Sequence, residues 1–535
     1  MNMKHIFKVA AFAALLATGT GCSDFLDEEL KSSLAPDNTY TSTYGFEVGA
    51  TGLYGWARSE FNTWGESTTS HGQACPYEAL QVATDIVYCG KQQDGSLTPF
   101  EKLSYTPSTT FVTSYWNWGY GLIASANEML EYSEKSVKWD KPTDKAYYQA
   151  IARFFRAYAY RYMVYLYGDV PYVDKIEKNF RVDYTRTPKK DVLAKMIEDL
   201  KFASANLPLD PDKVEVGKLT KWAAEHLLSE VYLMAGEYAN AEKAADNVIN
   251  SNHFSLMKER FGAVKERVGD PFSDMFIENN QNRTSGNRES IWVMQLEYNT
   301  TGGGGANEDW TRRAWSPRYW DGVAGMVLAD SLGGRGLAQI MPFKWWIDTE
   351  GFFTKDDIRN SEANIKRNWY YNDPTSPNFG KKAEITEATW KASQLYPVIT
   401  KFFFGKEEDL TYTGNNKDRM KFRLAETYLL KAEACLMQND AKGAAGAINE
   451  VRKRAHATEI SESEATLDFL LDERIRELVG EELRRFTLVR TGKLVERVHK
   501  YNSYSSSMSE KHMLWPIPQT VIDSNTGAEF PQNPL

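Results

Sequence analysis

The densest hydrophobic pattern runs from Ile151 to Tyr167 (IARFFRAYAYRYMVYLY), apolar or aromatic at nearly every turn, and predicts a helix. Its end is marked by Gly168-Asp169-Val170-Pro171, a glycine stop with proline close behind. Upstream, Leu122, Ala126, Met129 and Leu130 share one face, so another helix is expected from about Tyr120 to the polar stretch Glu131 to Lys135. Leu219 to Ile249 reads as two antiparallel helices joined at Ala235-Gly236-Glu237, with Tyr232, Gly236, Tyr238, Ala241 and Ala245 spaced as in a tetratricopeptide unit. A second pair follows: Phe422 to Met437, a break at Gln438-Asn439-Asp440, then Ala444 to Ala455. Small residues where helices cross let backbones approach, and aromatics fill the gaps between pairs. The stretch from about 259 to 414 differs, being rich in Gly, Asn, Asp, Trp and Tyr, with short strand-like runs at Ser290 to Leu296 and Val398 to Phe404. A second loop-rich stretch, residues 37–119, precedes the first helices. Long irregular segments on a rigid scaffold are the usual place for binding residues.

Composition narrows the function classes. A 535-residue chain that is 42% hydrophobic can build a large buried core. The formal charge of −9 disfavours nucleic acid as a partner. Residues 1–21 carry Lys4 and Lys8, an apolar run from Val9 to Ala17, and small residues up to Gly21, which reads as an export signal. A run of that length is short of the roughly 20 residues a membrane-spanning helix needs. Cys22, directly after Gly21, resembles the acylated cysteine of a bacterial lipobox, although Gly19 stands where Leu is usual. Its alternative is a leftover thiol after an ordinary signal peptide. Acylation anchors at about 0.8 kcal/mol per buried CH₂. Cys75 and Cys89 either form a disulfide, worth about 3 kcal/mol for that loop, or stay as thiols. Cys435 reads as a small buried apolar residue.

The search for chemistry finds no HExxH, GxSxG, P-loop or metal-spaced Cys/His cluster, and no cofactor or metal is expected. The runs Gly302 to Gly305 and Gly333-Gly334-Arg335-Gly336 read as flexible loops. Asp472-Glu473 and Glu481-Glu482 mimic the carboxylate pair of a glycosidase, but beside Arg474, Arg476, Arg484 and Arg485 they read as solvated or helix-paired charges. The more telling constellation is NEDWTRRAWSPRYWDG, Asn307 to Gly322. Indoles such as Trp310, Trp315 and Trp320, with Tyr319, can stack on the apolar face of a sugar ring, while Arg313, Arg318 and Asp321 can hydrogen-bond its hydroxyls. The bland alternative is that these aromatics bury themselves to hold the loop together. Trp64 is the next candidate, Trp116, Trp118 and Trp222 read as core, and Trp345 and Trp346 are undecided.

Several segments together resemble the SusD/RagB family. They are Cys22 to Asp27, RAYAYRYMVYLYGDVPYV from Arg156, RLAETYLLKAEA from Arg423, AINEVRKRA from Ala447, ERIRELVGEELRRFTLVRTGK from Glu473, and the ending Trp515-Pro516-Ile517-Pro518-Gln519 through Asn533-Pro534. Glu481-Glu482-Leu483-Arg484 and Thr487 depart from the usual Glu-Gly-x-Arg and following Asp. The resemblance implies a mainly α fold after the 1–21 signal peptide: one domain, 22–535, with a tetratricopeptide-like scaffold (mainly 120–258 and 415–500) and a loop-rich glycan-binding part (mainly 37–119 and 259–414). It also implies a lipid-anchored, surface-exposed outer-membrane protein that binds glycan without catalysis, beside a SusC-like TonB-dependent transporter. Acidic residues after Cys22 resemble surface-export signals. Alternatives are a peptide-uptake lipoprotein and a glycoside hydrolase using Asp309 and Asp321.

Overall fold

The computed structural model describes residues 35–61, 76–90, 95–177, 179–297, 300, 302–304, 309–404, 409–411, 414–415 and 417–535. Cys22, Trp64 and Cys75 lie outside these residues. Cys89 is a free thiol in a short strand and Cys435 is buried.

Helices supply the frame. The first long one, α1 (Thr43–Arg58), falls within the stretch expected to be loop-rich. It forms because Phe46, Ala50, Leu53 and Ala57 line one buried face at helical spacing. Two of its glycines are required by close approach: a Cβ on Gly45 would lie 1.6 Å from the Thr39 carbonyl oxygen, and one on Gly49 would lie 2.5 Å from the Tyr40 ring. Next come α2 (Thr110–Ser133) and α3 (Asp144–Tyr167), antiparallel neighbours. Helix α2 starts ten residues before Tyr120, so Trp116 and Trp118 sit inside it and are buried. Helix α3 is buried all round from Phe154 to Tyr167, which is why its sequence lacks a polar face. Its two buried arginines are paired, Arg156 with Asp199 at 2.8 Å and Arg161 with Glu230 at 2.8 Å.

The stack continues through α4 (Lys189–Asn206), α5 (Lys221–Ala235) and α6 (Tyr238–Ile249). Gly236, left-handed at φ 75°, turns the chain between α5 and α6 as the sequence predicts. The chain then leaves for the loop-rich half, whose short helix α7 covers Thr311–Trp315. It returns as α8 (Leu424–Met437), which packs on α6 and is followed by α9 (Ala441–Arg454) and α10 (Leu467–Leu478). The irregular half is therefore an insertion within a helical stack, and the fold is mainly α.

Two devices fix the insertion to the frame. Strand Ser290–Met294 pairs antiparallel with Arg419–Arg423, which runs straight into α8. Beneath it lies a buried ionic network. Arg423 meets Glu289 at 2.8 Å, Glu477 at 2.5 Å and Glu481 at 2.6 Å, while Arg359 bridges Asp357 and Glu473, both at 2.8 Å. Arginine suits such sites because its fork satisfies several carboxylates at once. Of the expected strand-like run Val398 to Phe404, only Val398–Ile399 is strand. No helix among the described residues is long and apolar enough to cross a membrane.

Candidate functional site

The aromatic segment after residue 308 is held by charge at its start. Asp309 accepts from the Thr311 backbone N–H at 2.8 Å, from Arg419 at 3.0 Å and from the Asn415 side chain at 3.3 Å. These bonds orient α7 and tie it to residues 414–419. The Arg419 guanidinium also lies 4.5 Å over the Phe61 ring, and Phe61 contacts Tyr77 at 4.8 Å. Phe61 and Tyr77 flank the stretch that carries Trp64. The two loop-rich parts of the sequence thus meet at the Asp309–Arg419 pair.

The expected stacking residues separate into two groups. Trp315 is 2% exposed and packs on Phe402, while Tyr319 is fully buried and stacks on Trp369 at 5.7 Å. The Tyr319 hydroxyl also donates toward the carbonyls of Ala329 and Gly334, both at 3.0 Å. As placed, neither ring has a free face, so both hold the segment together rather than offer a platform. Trp310 is 6% exposed, with the buried Arg313 guanidinium 4.5 Å over its ring. Trp320 remains half-buried, oriented by its indole N–H donating to the Gly336 carbonyl at 3.0 Å. Beside it, Arg318 and Asp321 form an ion pair at the surface.

One residue that the sequence reading passed over joins this group. Arg335 places its guanidinium 5.6 Å over the Trp320 ring. The glycines around it do not make a loose loop. A Cβ on Gly336 would sit 2.4 Å from the carbonyl oxygens of Ser316 and Pro317, and Gly333 and Gly334 adopt φ 87° and 67°. Leu337 N–H donates to the Arg313 carbonyl at 2.8 Å and Ala338 N–H to Ser316 at 2.8 Å, so the run is clamped against the aromatic segment. A glycine run a short way after a Trp-rich segment was the available signal.

Below the site lies Glu78, fully buried, with neither carboxylate oxygen hydrogen-bonded. Burial, opposed by Arg419 and reinforced by Asp309, pushes its carboxyl up to about 8. The Trp315 indole N–H lies toward this carboxyl and opposes the shift, without reaching a well-formed hydrogen bond.

The other candidates prove structural. Asp472-Glu473 and Glu481-Glu482 are bound by arginines from several elements: Asp472 meets Arg497 at 2.5 Å, Glu473 meets Arg452 at 2.7 Å and Glu482 meets Arg474 at 2.6 Å. Glu473 and Glu482 are buried, not solvated, and the arginines around Glu473 hold it down at about 2. Trp345 and Trp346 donate to the carbonyls of Asp85 and Ile86 at 2.7 and 2.8 Å, and Trp345 stacks on Tyr501 at 3.9 Å. A cavity of about 630 Å³ lies elsewhere: an open, mainly apolar groove lined by Trp116, Tyr120, Ile123, Val173, Tyr184 and Phe530.

Comparison with known proteins decides the family. Residues 288–535 match the profile of the SusD family, and residues 79–233 match a second profile described as starch-binding associating with outer membrane. The chain belongs to the SusD/RagB family. Among curated SusD relatives, a SusD-like protein of Formosa agariphila is 23% identical over 97% of each chain. The starch-binding protein SusD of Bacteroides thetaiotaomicron is 24% identical, covering 98% of this chain and 97% of that one. Among solved structures, surface glycan-binding protein A from Bacteroides thetaiotaomicron in complex with laminarihexaose superposes with a TM-score of 0.70 at 20% identity, covering 92% of this chain and all of that one. A laminarin-binding SusD-like protein gives 0.67 at 22% identity, covering 91% and 98%. At such identities the superpositions establish the SusD fold.

Proposed function

We propose that this protein is a surface lipoprotein that captures oligo- or polysaccharide and passes it to a SusC-like TonB-dependent transporter, without itself cutting a glycosidic bond. The relatives named above, one binding starch and two binding laminarin or its hexaose, support glycan as the ligand class. Acylation at Cys22 supplies the anchor, and an outer-membrane, outward-facing location follows from the family reading. Trp320, Arg318 and Asp321 form the contact face, Trp310 and Arg313 back it, and Trp64 joins from the stretch flanked by Phe61 and Tyr77.

The observation that carries the reading is the partly exposed Trp320, held by its Gly336 bond, with the Arg335 guanidinium 5.6 Å over its ring and the Arg318–Asp321 pair on either side of it in the chain. A sugar ring needs such a combination of an apolar plane with donors and acceptors close by. The carboxylates do not suit hydrolysis. Asp309 is committed to Arg419 and Asp321 to Arg318, so this pair offers neither a free proton donor nor a free nucleophile.

Native electrophoresis of the protein from Ser23 onward, in gels containing single polysaccharides, tests the proposal. Retardation by at least one polysaccharide with no released sugars is expected. Released oligosaccharides would replace it with the hydrolase reading, and retention of peptides but no glycan would replace it with peptide uptake.

A further inference from the structure

The proposed face carries two guanidiniums close to each other: Arg313, 4.5 Å over the Trp310 ring, and Arg335, 5.6 Å over the Trp320 ring. The two segments that carry them are clamped by the Leu337-to-Arg313 and Trp320-to-Gly336 hydrogen bonds, so neither arginine's backbone is free to withdraw. Arg313 is 4% exposed. Burial and the Arg335 charge beside it push its guanidinium down to about 10.

Arg335 is half-buried and makes no hydrogen bond or ion pair with any described residue. Of the acids in the same segment, Asp309 pairs with Arg419 and Asp321 with Arg318, and Asp330, which accepts from the Ser331 backbone N–H, forms no ion pair with Arg335. Holding the Arg335 guanidinium beside the buried Arg313, with no described carboxylate on Arg335, is electrostatically unfavourable. An anionic group on a ligand relieves that cost, and a neutral sugar does not.

We propose that the face recognises an acidic glycan, whose carboxylate or sulfate group docks on Arg335 where its guanidinium lies over Trp320, beside Arg313. The inference rests on the glycan-binding reading and names its ligand class. A guanidinium fork matches the two oxygens of a carboxylate or the face of a sulfate, and such charge-assisted bonds are about twice as strong as those to a hydroxyl. The sugar ring that bears the group then lies against Trp320.

The test is affinity electrophoresis at low and raised salt with three sets of polymers: uronates (polygalacturonate, alginate), sulfated glycans (chondroitin sulfate, carrageenan) and neutral glycans (laminarin, starch, xylan). Methyl-esterified or desulfated forms of the acidic polymers serve as controls. Expected is retardation by an acidic polymer that weakens about tenfold or more when its acid group is masked or when Arg335 is replaced in Arg335→Ala, with Arg335→Lys in between. The uronate and sulfate sets tell carboxylate from sulfate. Because Arg335 bonds to nothing described and its charge sits beside Arg313, Arg335→Ala should melt no lower than wild type, separating lost binding from lost fold. Retardation by neutral polymers alone would overturn this inference and leave the glycan-binding reading intact. Acidic retardation unchanged in Arg335→Ala would also overturn it, and retardation by no polymer would count against both.

Discussion

Replacing Glu78 by Gln is expected to make the protein more stable as pH rises, relative to wild type. Glu78 is fully buried, its two oxygens make no well-formed hydrogen bond to a described residue, and Arg419, the cation that opposes its shift, is claimed by Asp309 at 3.0 Å. Its carboxyl therefore moves from the ordinary 4.5 up to about 8 in the folded protein. The sign follows from proton counting. Between pH 4.5 and 8 the folded state holds a proton that the unfolded state has lost, so stability falls as pH rises through that window. With about 1.4 kcal/mol per pH unit, the accumulated cost is under about 1 kcal/mol at pH 5 and about 3 kcal/mol at pH 7. Glu78→Gln keeps the shape and removes the titration. A constant penalty of about 1–3 kcal/mol for burying the amide shifts the whole curve but not its slope. The readout is thus the difference between variant and wild type, which should move in the variant's favour by about 2–3 kcal/mol from pH 5 to pH 7. For a chain of roughly 500 residues, with an unfolding entropy of about 2 cal/mol/K per residue, that is about 2–3 °C in Tm. Calorimetry or urea unfolding at both pH values measures it. Parallel pH profiles for the two proteins would refute the argument that Glu78 is buried in its protonated form.

Three further outcomes are expected. Trp315→Ala should cost about 3–5 kcal/mol by urea unfolding because it empties a core site, whereas Trp320→Ala, which loses a partly buried ring and its Gly336 bond, should cost about 1–3 kcal/mol and cut glycan affinity about 10- to 100-fold by titration calorimetry. Glu60 accepts from the buried Lys421 at 2.5 Å and from Tyr162 at 2.6 Å, so Glu60→Gln should lose about 3–5 kcal/mol, and the double variant Glu60→Gln/Lys421→Met should recover much of it. Asp85 is held at about 2 after its burial is outweighed by Arg484 and Arg497, both within 2.8 Å; its contribution of about 2 kcal/mol is fully present above pH 4 and lost as pH falls through 2, which Asp85→Asn should abolish in an acid-unfolding profile.

The parts of the molecule that follow local rules were legible. Gly168 and Gly236 stop helices where the sequence places them, and the helix pairs on either side of Gly236 and of Asn439 stand as the tetratricopeptide spacing predicts. Helix α1 escaped because Gly45, Gly49, Gly52 and Gly55 suggest a loop, although Phe46, Ala50, Leu53 and Ala57 carry helical spacing. Its glycines at 45 and 49 answer to Thr39 and Tyr40, which only the fold brings close. The burial of Glu473 depends on Arg359, 114 residues away, and no pattern local to Asp472-Glu473 announces that partner. The same holds in the aromatic segment. Trp315 and Trp320 look alike in sequence, and what separates them is Phe402 covering one while the Gly336 carbonyl turns the other outward. Arg335 was passed over because its glycine neighbours resemble a slack loop, whereas they allow close docking on Ser316 and Pro317.

Hydrogen–deuterium exchange of the protein from Ser23 onward, with and without a polysaccharide that retards it, tests the central claim most directly. The account predicts protection concentrated in residues 309–337, around Trp320 and Arg335. Protection confined to the apolar groove of Trp116, Tyr120, Tyr184 and Phe530, with residues 309–337 unchanged, would contradict it.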